Sequence, residues 1–127
     1  MSAFDPKKII PHSSLGDKQR LFMWCMKELL TYTYDRGLAC TAGDFSRKDR
    51  RGHMIDSLHY DRLAADLNIF IFTVEGTWDY LESYDEDSGV WDRLGDYWKA
   101  LHPLCRWGGD FDSRDLNHFS VTAWGRA

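Results

Sequence analysis

The stretch from Leu63 to Val74 constrains the fold more than any other part of this chain of 127 residues. It is rich in leucine, isoleucine and phenylalanine, which is typical of a central β-strand. One charged residue, Asp66, interrupts it. A carboxylate on a buried strand is costly unless it is paired or bound to a cation. We therefore expect Asp66 to have a partner, which could be backbone amides, an arginine or a metal ion.

Amphipathic patterns on both sides of this strand predict two helices. Between Leu15 and Arg36 the apolar residues recur at intervals of three and four, and Gly37 supplies a stop signal. The segment Val90–His102 places its large apolar residues on one face and is followed by Pro103. A short apolar segment bounded by glycines, Leu38–Ala42, predicts a strand that enters the core.

Composition and turn residues assign the rest of the chain. Residues 1–14 contain two prolines and predict an irregular arm. The polar, basic segment Gly43–Asp56 predicts a long loop, a feature often linked to function. Glu75–Gly89 predicts a surface turn and loop whose acidic residues form a solvated face rather than a calcium site. Cys105–Phe111 and Asn117–Ala123 predict strand-like segments around a glycine turn.

These elements predict a single domain of the α+β class. The expected architecture is a small antiparallel sheet packed against two main helices. The length suffices for one buried core and is too short for two domains, so the domain should span residues 1–127.

Charge and cysteine content exclude several functions. The net charge of −4 argues against a nucleic-acid partner, even though basic residues cluster between Arg47 and Arg51. An odd number of widely spaced cysteines (Cys25, Cys40 and Cys105) indicates buried thiols in a reducing compartment. We expect no signal peptide, no membrane span and no stable membrane association.

Two clusters of histidine and aspartate offer ligands for a divalent metal. His59 precedes the central strand that contains Asp66, and Asp115 and His118 lie near the last strand. Two imidazoles and one carboxylate, with Asp115 near a metal-bound water, are the components of a catalytic zinc hydrolase.

Structural roles remain open for the same residues. His118 could be a satisfied core histidine, and Asp115 could be a surface turn residue paired with Arg114. The other histidines have weaker context, and we expect them to be structural or exposed: His12, His53 and His102.

Four motifs carry a resemblance to a known family. In chain order they are Ser57-x-His59, Ala64-x-Asp66-Leu67, Trp107-Gly108-Gly109-Asp110-Phe111 and Asp115-x-x-His118-Phe119. Together they resemble the signature of the M15 peptidases. These are zinc-dependent D-alanyl-D-alanine dipeptidases and carboxypeptidases, and phage endolysins that cut L-alanyl-D-glutamate bonds. The tryptophan-glycine-glycine element favours the endolysin-like branch.

The resemblance implies a role for each matching residue. The implied zinc ligands are His59, Asp66 and His118. Asp115 falls where the family keeps its general base, and Arg47 where it keeps an arginine that stabilises the oxyanion. The neighbouring Arg50 and Arg51 are alternatives to Arg47. Substrate contacts are assigned to Ser57, Trp107 and Asp110, of which Ser57 and Asp110, together with Asp112, could also orient a histidine ligand.

One position departs from the family pattern. A glycine often follows the first histidine by three in the wider family, whereas this chain has Arg62. This departure affects the expected loop shape more than the expected metal site.

The implied function is hydrolysis of an amide bond in peptidoglycan stem peptides by a monomeric zinc metallopeptidase. An endolysin that cuts L-alanyl-D-glutamate is the leading hypothesis, and a D-alanyl-D-alanine carboxypeptidase or dipeptidase is the alternative. A non-catalytic, zinc-stabilised wall-binding or virion module is a third possibility, which Asp115 argues against because a binder needs no general base. An endolysin would accumulate in the host cytoplasm and reach the cell wall through a separate membrane-permeabilising protein.

Overall fold

The first helix, α1 (Leu15–Asp35), begins where the sequence predicts. The Ser14 side chain accepts a hydrogen bond from the Asp17 amide at 3.1 Å, which caps the helix. Beyond the helix, Gly37 has a φ of +79°, a conformation that glycine adopts without strain. The computed structural model describes residues 3–43 and 62–123.

The second helix, α2 (Val90–Leu101), covers the centre of the core. Its Trp98 is fully buried and donates a hydrogen bond to the Ser120 carbonyl at 3.0 Å. The same indole makes edge-on contacts with Phe22 of α1 and with Phe119. Helices and sheet therefore share one apolar core, as the amphipathic patterns predict.

Five antiparallel strands form the sheet. They are β1 (Leu38–Ala42), β2 (Ala64–Phe72), β3 (Trp78–Leu81), β4 (Cys105–Trp107) and β5 (His118–Val121). The order is β1-β2-β5-β4, and β3 also pairs with β2. On one flank of β2, β5 pairs with the first half and β3 with the second, while β1 occupies the other flank. The expected α+β fold is confirmed.

The two faces of β2 have different surroundings. Leu67 and Ile69 point into the core and are buried. The alternate positions, Asp66, Asn68 and Phe70, are only partly buried and share the opposite face. Asp66 is thus placed on the outer face of a central strand rather than among the apolar side chains.

Three predicted elements need correction. The loop assigned to Glu75–Gly89 contains β3, because the aromatic residues of this strand pair with those of β2 across a turn at Gly76. The strand β1 lies at the edge of the sheet and is half-buried to exposed, so it packs against the core through Leu38 and Cys40 instead of entering it. The strand-like segment Cys105–Phe111 ends at Trp107, where residues 108–110 form a 3₁₀ turn.

Two of the three cysteines are core residues, as predicted. Cys25 and Cys105 are buried with their sulfur atoms 3.6 Å apart, and both are thiols. The hydrogen bond with Cys25 and burial raise the pKa of the Cys105 thiol. Cys40 is half-buried, and burial raises its pKa as well. Among the described residues, no helix is long and apolar enough to cross a membrane.

Candidate active site

Antiparallel pairing brings Asp66 and His118 face to face. The two residues are direct partners in the register of β2 and β5, and directly opposed side chains lie on the same face of a sheet. Asp66 Oδ1 and His118 Nδ1 are 3.8 Å apart. Two of the three predicted zinc ligands are therefore adjacent, although they come from distant parts of the sequence.

Asp115 completes a cluster with these two residues. One ligand atom from each of Asp66, Asp115 and His118 lies within 4.8 Å of the others. A turn closed by the hydrogen bond from the His118 amide to the Asp115 carbonyl, at 3.1 Å, sets their spacing. His118 is buried, Asp66 half-buried and Asp115 exposed. The cluster therefore opens to solvent on the side of Asp115.

Gly108 holds this turn in place. Its carbonyl accepts the Asp115 amide at 2.9 Å and the Phe111 amide at 3.1 Å. A Cβ atom at Gly108 would lie 2.1 Å from the Asp115 carbonyl oxygen and 2.8 Å from the His118 Cβ atom. Such close approach is possible only for glycine, so the second residue of the tryptophan-glycine-glycine element is required by the local geometry.

Trp107 supports the same turn from the side of α2. Its indole N–H donates to the Leu116 carbonyl at 2.8 Å, and the side chain is buried. The ring lies against Gly95 and Gly109, where an added Cβ atom would approach it to 2.2 Å in each case. Trp107 is therefore a buried support of the site, and its ring packs the glycine element against α2.

Another glycine, Gly43, holds Asp66 from the side of β1. The Gly43 amide donates to the Asp66 carbonyl at 2.7 Å, and a Cβ atom at Gly43 would lie 2.8 Å from that oxygen. Sequence reasoning treated Gly43 only as the start of a loop. The sequence feature that indicates close backbone approach here is a glycine directly after a strand.

Arg62 occupies a left-handed backbone conformation, with a φ of +58°. Residues other than glycine adopt this region at an energetic cost. The positive φ accounts for the glycine that the resemblance leads one to expect at this position. The loop keeps a glycine-like backbone at this point and accepts the strain.

Some of the remaining predicted residues lie among the described residues, and the others do not. Asp110 lies beside α2, where its carboxylate forms an ion pair with Lys99 at 2.9 Å. Arg114 donates to the Gly109 carbonyl at 2.7 Å and pairs with Glu86 at 2.8 Å. The other group lies outside the described residues: Arg47, Arg50, Arg51, His53, Ser57 and His59.

Two histidines outside the cluster are structural or exposed, as expected. His102 is buried, contacts the Pro6 carbonyl at 2.9 Å and accepts the Leu104 amide at 3.0 Å. The contact with Pro6 attaches the N-terminal arm to the end of α2. His12 is exposed.

The donor set fits a zinc ion. Imidazole nitrogen and carboxylate oxygen are ordinary zinc ligands. Asp66 Oδ1 and His118 Nε2 are both shielded from solvent. Two carboxylates this close repel each other when both are ionised, and a divalent cation between them removes the repulsion. The described residues could thus hold a metal ion, and His59 stays a predicted ligand.

A buried histidine with two carboxylates at the solvent-facing side of a sheet is a donor set that a metallohydrolase could use. A sequence profile of an M15 peptidase family, described as D-alanyl-D-alanine carboxypeptidase, matches residues 50–121, which is more than half of the chain. The chain therefore belongs to the M15 peptidases. A search of curated proteins found no match. Family membership makes the protein a hydrolase of the peptidase class with peptidoglycan as its substrate.

Proposed function

We propose that the protein is a zinc-dependent endolysin that hydrolyses the L-alanyl-D-glutamate bond of peptidoglycan stem peptides. The observation that carries this proposal is the cluster of Asp66, Asp115 and His118, whose ligand atoms lie within 4.8 Å of one another. Its exposed member provides a base at the position where substrate can arrive. A wall-binding module would need the metal ligands but would have no use for that base.

In this proposal each residue of the cluster has a distinct task. Asp66, His118 and His59 would hold Zn²⁺, which when bound supplies a Lewis acid that activates water and polarises the scissile carbonyl. Asp115 would accept a proton from the attacking water and return it to the departing amine. Because Asp115 is exposed, both proton transfers are open to a substrate that enters from solvent. Arg47 would stabilise the negative charge that develops on the carbonyl oxygen.

The choice of bond rests on the tryptophan-glycine-glycine element, whose resemblance is to the endolysin-like branch. Gly108 and Trp107 hold the turn that carries Asp115 and His118, so the element is part of the site's construction. A D-alanyl-D-alanine carboxypeptidase is the second candidate, favoured by the description of the matching family. Both reactions use the same catalytic groups and differ in how the stem peptide is placed.

Digestion of purified sacculi, followed by mass spectrometry of the products, tests the proposal. We expect new L-alanine carboxyl ends that disappear when a zinc chelator is added and return when Zn²⁺ is restored. Release of D-alanine would replace the endopeptidase by the carboxypeptidase. No product from folded, zinc-loaded protein would reject a peptidase function in favour of a wall-binding module.

The ligand assignment outside the described residues has its own test. The variant His59→Ala should lose stoichiometric zinc, measured by inductively coupled plasma mass spectrometry, whereas His53→Ala should keep it. Equal zinc content in the two variants would remove His59 from the ligand set.

The endolysin role also predicts where the protein acts. We propose that it accumulates as a monomer in the host cytoplasm and reaches the wall only after another protein permeabilises the membrane. Expression in a Gram-negative host should leave cells intact until chloroform is added, after which the culture should lyse. Lysis without chloroform, or no lysis after it, would contradict this role.

A further inference from the structure

A row of aromatic side chains lies on the β2–β3 hairpin, and the proposed catalytic chemistry does not use it. Phe70 contacts Tyr80 edge-on with ring centroids 5.7 Å apart, and Phe72 contacts Trp78 at 4.8 Å. Three of the four are half exposed, at 53% for Phe72, 49% for Trp78 and 46% for Tyr80. Clustered exposed aromatic rings usually mark a binding surface. We call these four residues the aromatic row.

The aromatic row is continuous with the candidate active site. Alternate residues of β2 share one face, so Phe70 and Phe72 lie on the same side of the sheet as Asp66. At the rise of a β-strand they follow Asp66 at about 13 Å and about 20 Å. Strand β3 continues the flank of β2 that β5 begins, so Tyr80 follows His118 along that flank. A ligand that lies along β2 would therefore touch both places.

We propose that the aromatic row binds the sugar chain of peptidoglycan while the attached stem peptide occupies the active site. This inference rests on the proposed function, because it takes its ligand from the substrate of that site. Sugar rings present C–H faces that pack on aromatic rings, and their hydroxyl groups need hydrogen-bonding partners nearby. Trp78 and Tyr80 each combine a flat apolar ring with a polar atom. Between the row and Asp66, Asn68 and Thr41 add an amide and a hydroxyl group.

The dimensions of the substrate agree with this placement. One amino acid separates the sugar from the L-alanyl-D-glutamate bond, and four separate it from the D-alanyl-D-alanine bond. An extended peptide spans about 3.5 Å per residue, so about 4 Å or about 14 Å of peptide separates the sugar from the cut. A chain of several sugars laid along β2 reaches the aromatic row in either case.

Two other occupants fit less well. An anionic lipid surface would be repelled by the net charge of −4 and by the exposed carboxylates of Glu75 and Asp79 on the same hairpin. A second copy of the chain would need about 800 Å² of interface on each partner. Three half-exposed aromatic side chains offer only about half of that area.

Calorimetric titration with glycan strands tests the inference without requiring catalysis. The probe is the sugar chain from purified sacculi, stripped of stem peptides by an amidase. The variants Trp78→Thr and Tyr80→Thr each remove one ring and keep a residue that favours strands. We expect binding about tenfold weaker for each. Tyr84→Thr removes an aromatic side chain that is 75% exposed outside the row, and it should bind like the parent.

Each result decides the inference. Parent protein that fails to bind bare strands, or folded Trp78→Thr and Tyr80→Thr variants that both bind them as tightly as the parent, would overturn it. The inference would also be overturned if these variants kept the parental glycan affinity but lost self-association in sedimentation velocity. The same holds if they kept that affinity but lost binding to phosphatidylglycerol vesicles. Thermal melts by circular dichroism identify any variant that fails to fold.

The two proposals fail in different ways. Glycan binding that depends on Trp78, without hydrolysis of sacculi, would reject the peptidase and keep the sugar site. Hydrolysis of sacculi with no glycan binding would keep the peptidase and reject the sugar site. Where both hold, Trp78→Thr should raise KM for sacculi about tenfold and leave cleavage of a sugar-free stem peptide unchanged.

Discussion

The two halves of β2 differ in the strand they pair with, in their burial and in the side chains that they carry. The first half pairs with β5, is largely buried and carries Asp66, whose backbone is fixed by Gly43. The second half pairs with β3 and ends in exposed aromatic residues, Phe72 among them. Close packing serves to position ligand atoms, whereas an exposed surface remains available for a partner. One strand therefore combines a rigid site with an adjacent open surface.

The same difference predicts how substitutions will behave. Changes near the first half should disturb catalysis or folding, since each group there contacts several others at short distance. Changes in the second half should leave stability nearly intact. The predictions below test this contrast, beginning with the largest expected effect.

Replacing the exposed carboxylate of the cluster should have the largest effect. Asp115→Asn keeps the size of the side chain but removes the base, so kcat should fall by about 10²–10⁴-fold while zinc content stays stoichiometric. Asp87→Asn changes an exposed carboxylate outside the cluster, so it is the matched control and should keep parental activity. Activity of Asp115→Asn within twofold of the parent would show that another group is the base.

The tight glycine of the turn should tolerate no side chain. Gly108→Ala places a Cβ atom 2.1 Å from the Asp115 carbonyl, and we expect a loss of about 2–3 kcal/mol in unfolding free energy. Gly16→Ala on α1 is the control, because its Cβ atom meets only the flexible end of Arg20 at 3.1 Å. That variant should be unchanged or more stable by up to about 1 kcal/mol. Urea denaturation of both variants measures the difference, and equal stability would contradict the structure of the turn.

Loss of the indole hydrogen bond should have a smaller effect. Trp107→Phe keeps an aromatic ring against Gly95 but leaves the Leu116 carbonyl without its donor. We expect about 1–2 kcal/mol lower stability and a kcat reduced severalfold, because the turn that holds Asp115 loosens. Stability loss without any change in kcat would mean that Trp107 does not position the catalytic turn.

The smallest effect on stability is expected in the aromatic row. Phe72→Thr removes a side chain that is 53% exposed, and its cross-strand contact with Trp78 is worth at most about 1 kcal/mol. Thermal unfolding should shift by only a few degrees. A loss as large as that of Gly108→Ala would abolish the contrast between the two halves of β2.

Local sequence patterns predicted the elements whose structure depends on local forces. Both helices follow from apolar spacing and stop signals, and the central strand from its composition. The single carboxylate of that strand lies opposite His118, and a metal ion as its partner stays a prediction. The zinc-binding roles of Asp66, His118 and His59 remain predictions, as do the base role of Asp115 and the roles of Arg47 and Ser57.

Features that depend on the approach of another strand or backbone segment were missed. The strand β3 lies within an acidic, glycine-containing stretch, and only its pairing with β2 makes it a strand. The position of β1 at the sheet edge depends on which strands flank it. Gly43 and Gly108 look like ordinary turn residues until another backbone is seen to approach them.

The strand pairing also has a consequence for the order of folding. The β2–β3 hairpin closes a short turn between Thr73 and Thr77, so it can form early at little entropic cost. The β2–β5 pairing joins residues that are 52 to 56 positions apart in the sequence, and such long-range contacts form late. Asp66 meets His118 only through that late pairing. During refolding, recovery of metal binding should therefore lag behind formation of the hairpin, so that incompletely folded chains hold no metal and cleave nothing.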